Sequence, residues 1–183
     1  MQKGQLSNDL WLAGPSTPLG AWYALQTRHQ CEKRVDLALR DVGFDTFAPV
    51  RAEQRRWSDR TKLIQSPLFP GYTFVRMETD SKSLLKVMRL PGIVRFVTTG
   101  RELVPIPDEE IEAVRGLLQS HEAYEAAPFP ALGERVRIRG GCLDGIEGII
   151  TGHLNRREII ISVGAIRRSL KVPLGNYTVE CLD

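Results

Sequence analysis

The sequence predicts an α+β protein in two parts: an N-terminal antiparallel sheet with flanking helices and, past a flexible linker, a small C-terminal β-barrel. Three features carry this. From Trp22 to Leu118 the apolar positions switch between the alternation of a strand and the roughly 3.6-residue period of a helix. The stretch "QSHEAYEAAPFPA" then has no period and is rich in Ala and Pro. Beyond Gly133, short strand patterns are punctuated by glycines at 140, 141, 145, 148 and 152, and no helical period returns. The expected division is a disordered tail over 1–20, an N-terminal domain over 21–118, a linker over 119–131 and the barrel over 132–183.

Taken in order, "WYALQT" reads as the first strand. "QCEKRVDLALRDVG" spaces Cys31, Val35, Ala38, Leu39 and Val42 along one helical face and stops at Gly43. "FDTFAPV" alternates as a second strand, and "RAEQRRWSDRTKLIQ" reads as the two polar arms of an exposed hairpin folded at "SDR". "SPLFPGYTFVRM" sets Pro67 and Pro70 around Leu68 and Phe69, ahead of a strand with Tyr72, Phe74 and Arg76 on one face and Val75 and Met77 on the other. "DSKSLLKVMRLPG" offers Asp80 or Ser81 as a helix cap and a Pro-Gly stop. After the short strand "IVRFV", Asp108, Glu109 and Glu110 stand where a helix start favours acids, with Ile111, Val114, Leu117 and Leu118 on one side. In the last part "ERVRIR", "REIIISV" and "RRSLKVPL" supply strands, and so short a unit buries enough only by closing into a barrel.

Composition narrows the function. With 42% hydrophobic and 26% charged residues the chain is globular, and 25 Lys+Arg against 22 Asp+Glu leave a net charge of only +3. A uniformly basic nucleic-acid coat is excluded, so an anionic partner must meet a local patch. Cys31, Cys142 and Cys181 are widely separated and no His stands at a ligand spacing from them, so no metal site is expected. The first residues lack a signal-type apolar core and no window reaches transmembrane length, which predicts a cytoplasmic protein with no membrane role. No nucleophile motif or phosphate-cradling glycine loop occurs, so neither catalysis nor a cofactor is expected.

Two constellations remain. Arg28, His29, Gln30, Lys33 and Arg34 cluster where the first strand meets its helix, and Arg51, Arg55, Arg56, Arg60 and Lys62 line the hairpin around Trp57. Either cluster can grip phosphates, with Trp57 stacking on a base, but on the residues alone a solvated helix end and a soluble hairpin are the favoured reading. The proline-flanked knot at 67–72 is open: its aromatics are core residues beside a shaped turn, or a rigid apolar surface held ready for a partner.

In combination, "WYALQTR", "PLFPGYTFV", "LPGIVRFV", "PIPDEEIEAV" and "GERVRIRGGCLDGIEGIITG" resemble the NusG family of transcription elongation factors. "RRWSDR" ahead of "PLFPGYTFVR" is closest to its specialised UpxY-type antiterminator paralogues. The resemblance implies an NGN domain that binds the clamp helices of RNA polymerase and a KOW barrel that recruits other factors, in a monomer without catalysis or cofactor. It implies polymerase contact by Phe69, Pro70, Tyr72 and Phe74, and contact with the non-template DNA strand by Arg28, Gln30 and Arg34. In the barrel, Leu143 and Ile146 stand where relatives carry phenylalanines that engage Rho or a small-subunit ribosomal protein. The expected function is pause suppression and terminator readthrough in specific operons. The alternatives are a general NusG coupled to Rho or the ribosome, and a ribosome- or RNA-binding KOW protein. The strand-patterned C-terminal segments predict a permanent barrel.

Overall fold

The computed structural model describes residues 20–56, 61–120, 122–127, 129, 133–150, 158–173 and 177–182. The tail expected to be disordered, apart from Gly20, and the hairpin tip with Trp57 and Arg60 lie outside the described residues. In chain order the N-terminal part holds β1 (Ala21–Thr27), α1 (Glu32–Asp41), β2 (Asp45–Phe47), β3 (Val50–Arg56), β4 (Thr61–Pro67) and β5 (Tyr72–Met77). It continues through α2 (Ser81–Met88), β6 (Ile93–Phe96), β7 (Thr98–Thr99), β8 (Glu102–Leu103), β9 (Pro105–Ile106) and α3 (Asp108–Ser120). The C-terminal part holds β10 (Glu125–Ala127), β11 (Glu134–Arg139), β12 (Glu147–Ile150), β13 (Glu158–Val163), β14 (Arg168–Pro173) and β15 (Thr178–Cys181). The fold is mixed α and β with antiparallel sheets, as the sequence predicts.

The N-terminal sheet is ordered β2-β5-β1-β6, with β9 also pairing with β1. Strand β1 is the spine: it pairs antiparallel with β5 (Ala24↔Phe74), β6 (Leu25↔Phe96) and β9 (Trp22↔Ile106). Because side chains alternate along a strand, β1 feeds two cores. Tyr23 and Leu25 join Val35 and Leu39 of α1 and Val87 of α2 on one face. Trp22 and Ala24 join Phe74 and the α3 residues Ile111, Val114 and Leu117 on the other. On β5, Val75 and Met77 fall in the first core and Tyr72 and Phe74 in the second, the division predicted for that strand. Helix α2 is capped by Asp80, whose carboxylate accepts from the N–H groups of Lys82 at 2.9 Å and Ser83 at 3.1 Å. The hairpin pairs β3 with β4 from Val50↔Pro67 to Arg56↔Thr61.

The C-terminal sheet runs β10-β14-β13-β12-β11-β15, antiparallel throughout, and buries Val136, Ile138, Ile159, Ile161, Val163, Leu170 and Val172. It is strand-rich and consistent with a KOW barrel. The stretch expected as linker carries structure at both ends. Helix α3 runs to Ser120, and Glu125–Ala127 pairs with β14 to add a sixth strand. Alanines with few polar atoms hide a strand of this length from any periodicity test.

The two parts share one core. Trp22, Phe69 and Phe74 of the first and Val136, Leu143 and Ile161 of the second belong to the same buried cluster, with α3 between them. Gly116 is a point of close approach: a Cβ there would stand 2.5 Å from Ile146 Cδ1. Polar bonds frame the seam. Gly164 N–H donates to Glu110 Oε2 at 2.9 Å, the Tyr177 hydroxyl donates to Glu122 Oε1 at 2.8 Å, and Arg51 Nη1 donates to the Glu122 carbonyl at 2.5 Å. Burial pushes the Glu110 carboxyl above its ordinary value of 4.5, against the opposing pull of the Gly164 N–H.

Gly116→Glu should lift the barrel off α3 while leaving α3 itself intact, since replacing a mid-helix glycine raises helix propensity by up to about 1 kcal/mol. Small-angle X-ray scattering should show a larger radius of gyration with undiminished helical circular dichroism; an unchanged radius would show that the seam tolerates the side chain. A carboxyl raised in the folded state contributes stability that is complete below about pH 4.5 and is lost as pH climbs through the raised value. Docking should therefore loosen as pH rises above about 4.5. Glu110→Gln, which keeps an acceptor for Gly164 and carries no charge, should flatten that dependence in the same scattering titration.

Candidate functional site

The knot between β4 and β5 is a turn fastened at both ends. Leu68 N–H donates to the Pro49 carbonyl at 2.8 Å and Tyr72 N–H to the Phe69 carbonyl at 3.1 Å. Gly71 takes φ of 83°, a left-handed conformation that other residues enter only with strain. That conformation points its carbonyl at Thr27 N–H, 2.8 Å away, and its own N–H at Glu32 Oε1, 2.7 Å away. Glu32 is 5% exposed, and its backbone carbonyl accepts from the Thr73 hydroxyl at 3.3 Å. The knot is thus tied to the turn between β1 and α1, and Glu32 is the tie. Nothing in the sequence sets this residue apart from an ordinary acid in a first helical turn.

The four residues expected to face polymerase divide by burial. Phe69 is 2% exposed and Phe74 is fully buried, with their rings edge-to-face at 6.2 Å and Phe47 stacked on Phe74 at 6.2 Å. Pro70 is exposed and Tyr72 half-buried. In the docked arrangement, therefore, Phe69 and Phe74 do not form an open surface. They lie in the cluster shared by the sheet, α3 and the barrel, and only Pro70 and the edge of Tyr72 are reachable. Arg76 continues the Tyr72 face, 5.9 Å over the Trp22 ring and paired with Asp108 at 3.0 Å.

The three residues expected at DNA are brought together. Arg28 and Gln30 stand exposed on the β1–α1 turn, and Arg34 follows one turn into α1 with its Nη2 at 3.3 Å from Cys31 Sγ. Gln30 holds φ of 58°, uncommon for a residue with a side chain, and Arg28 N–H is anchored to the Gly92 carbonyl at 2.8 Å. The fold thus presents two guanidinium groups and one carboxamide on a backbone that is locked from two sides. Such a set can grip phosphates and read a base edge.

The barrel candidates point inward. Leu143 is fully buried in the helical turn Gly141–Leu143, which packs on α3, and Ile146 faces Gly116. The outer arginines of β11 are paired: Arg135 and Arg137 contact Glu147 at 3.1 and 2.5 Å, and Arg139 contacts Glu180. The Arg137 bond holds the Glu147 carboxyl below the usual range. Among the described residues no three His, Cys, Asp or Glu side chains group to hold a metal, and no helix is long and apolar enough to cross a membrane.

The family profile described as "Transcription termination factor nusG" matches residues 20–115, more than half of the chain. The chain belongs to the NusG family. Among its relatives, the transcription termination/antitermination protein NusG of Borreliella burgdorferi is 26% identical over 179 residues, covering 87% of this chain and 97% of that protein. NusG of Thermus thermophilus is 30% identical over 148 residues, covering 71% and 80%. A solved structure described as "Domain interaction in Thermotoga maritima NusG" is 26% identical, covers 88% of this chain and 92% of its own, and superposes with a TM-score of 0.44. The NusG family is one of transcription factors, not enzymes, and in this member the FPGY knot and the basic turn are one fastened unit.

Glu32→Ala leaves the Gly71 N–H without its acceptor and should cost about 1–3 kcal/mol in urea unfolding. Thr27→Val is the contrast. The Thr27 hydroxyl is buried with no hydrogen-bond partner, so its replacement by a methyl should be neutral or stabilising, and a loss above about 1 kcal/mol would mean the hydroxyl is satisfied after all.

Proposed function

We propose that this NusG-family chain is a specialised antitermination factor of the UpxY type, which binds elongating RNA polymerase through its N-terminal part and promotes readthrough of terminators in specific operons. The observation that carries this reading is the bond from Gly71 to Glu32, which joins the candidate polymerase knot to the candidate DNA turn. A factor that must hold polymerase and displaced DNA together has use for a rigid link between the two contacts. Arg28 and Arg34 meet backbone phosphates of the non-template strand, and Gln30 supplies base preference. Pro70 and Tyr72 make the first contact with the clamp helices of polymerase. Phe69 and Phe74 complete it when the core they share with α3 and the barrel opens.

A general NusG would present its barrel to Rho or a small-subunit ribosomal protein. Here Leu143 and Ile146 are aliphatic and turned toward α3, which favours the specialised reading over that one.

Readthrough on templates with and without candidate leader sequences tests the function directly. Tyr72→Ala with Pro70→Ser should weaken polymerase binding about tenfold or more while the chain still unfolds cooperatively, at a lower temperature because Tyr72 is half-buried against the core. Arg28→Ala with Arg34→Ala should lower recruitment and reduce its salt slope by about one unit per lost phosphate contact. Wild-type binding by the first pair of variants, or readthrough indifferent to template sequence, would return the chain to general NusG behaviour.

A further inference from the structure

Among the described residues, the large apolar side chains left exposed are Leu37, Leu85, Met88 and Val94. Leu85, 57% exposed, and Met88, 41% exposed, lie about one turn apart on α2. With Leu84, Phe96 and Leu103 they line an open groove of about 480 Å³ between α2 and the β6–β8 edge, and Arg95 and Arg101 line it too. Helix α2 packs into the core on the far side of the sheet from α3, so this groove stays open while the barrel is docked.

Its charge is one-sided. From Ser81 to Arg101 the sequence holds Lys82, Lys86, Arg89, Arg95 and Arg101 and no aspartate or glutamate, in a chain whose net charge is only +3. Lys86 is turned toward α1, its Nζ donating to the Val42 carbonyl at 2.5 Å, and Arg95 Nε donates to Gln26 Oε1 at 2.7 Å. Arg89 and Arg101 are exposed. The nearest acids in sequence are Asp80, whose carboxylate is engaged in capping α2, and Glu102 on β8.

We propose that this groove docks an acidic amphipathic helix of a partner protein, with the helix's apolar stripe on Leu85 and Met88 and its carboxylates toward Arg95 and Arg101. An open trough with an aliphatic floor and a cationic border suits a helix laid lengthwise, read by apolar anchors at helical spacing. A single nucleic-acid strand would need a stacking platform, and Phe96, the groove's aromatic residue, is 8% exposed. The surface is independent of the polymerase and DNA contacts proposed above, so a partner held here can ride on the chain in its docked form.

The probe is a fluorescein-labelled, helix-forming peptide of about 18 residues with leucines along one face and glutamates elsewhere, titrated against the full chain by anisotropy. Saturable binding is expected, weakened by salt. Leu85→Glu with Met88→Glu, or Arg101→Glu alone, should weaken it about tenfold or more; all three positions are on the surface, and thermal unfolding checks the fold. The same peptide with lysines for glutamates should not bind. Equal binding by the lysine peptide or by the variants overturns the proposal, as does no binding at all. An oligonucleotide or anionic phosphatidylserine vesicles that bind with the same sensitivity to these variants would assign the groove to that class instead. Peptide binding that appears only after removal of residues 1–19 would make the chain's own N-terminal stretch the occupant and equally overturn it.

Discussion

Helix α3 is buried on two sides, and most of what this chain presents to solvent depends on that. Ile111, Val114 and Leu117 pack toward the sheet through Trp22 and Phe74, while Gly116 removes the side chain that would hold Ile146 and the barrel away. A glycine in the middle of a thirteen-residue helix weakens it, and here the weakening is offset by close packing against a second apolar surface. The contact is also wired with polar bonds at its rim, from Glu110, Glu122 and Tyr177, so the seam has the layered form of a protein interface: apolar centre, polar edge.

The consequence concerns availability rather than stability alone. The aromatic pair Phe69 and Phe74 and the barrel pair Leu143 and Ile146 are the two apolar sets that the family resemblance assigns to outside partners, and in the docked chain they lie in a single core. Leu143 and Ile146 meet α3 directly, so exposing them for a partner means parting the seam, whereas Phe69 and Phe74 lie on the sheet side of that helix. The raised carboxyl of Glu110 lies at that seam, where a half-buried acid makes the contact weaker when charged than when neutral.

The architecture was largely legible because it rests on periodicity. The alternation of Tyr72 to Met77, the stop at Gly43, the acids opening α3 and the Asp80 cap are all local signals, and the structure keeps each of them. What could not be read were long-range pairings. Glu32 and Gly71 are 39 residues apart, and a carboxylate in a first helical turn looks the same whether it serves a macrodipole or a distant N–H. Strands β7, β8 and β9 have two residues each, too few to show any period. The docking of the barrel was hidden for the same reason. Gly116 reads as a blemish in a helix until Ile146 is seen against it, and Ala126 and its neighbours read as linker until β14 is beside them. The aromatics of the knot were ambiguous for a further reason: a buried ring and a docking ring have the same composition, and only the covering element tells them apart.

The sheet's two faces now divide the labour. The face toward α3 is committed to internal packing, with Arg115 stacked over both Trp22 and Phe47 and Arg76 closing the edge, so its cations are spent on aromatic rings and on Asp108. The basic turn at Arg28 and Gln30 and the exposed flank of α2 lie beyond the reach of the barrel, and they join through the Arg28 bond to Gly92, which follows α2. Among the described residues, the exposed cations Arg28, Arg89 and Arg101 stand on the side of the molecule that docking leaves open. A chain with almost no net charge can still be drawn to an anionic partner in its closed form, because its cations are sorted by face and not by number. Electrostatic encounter on the open side and apolar engagement at the seam are then separable steps, the first set by salt and the second by how firmly Gly116 and Glu110 hold the barrel down.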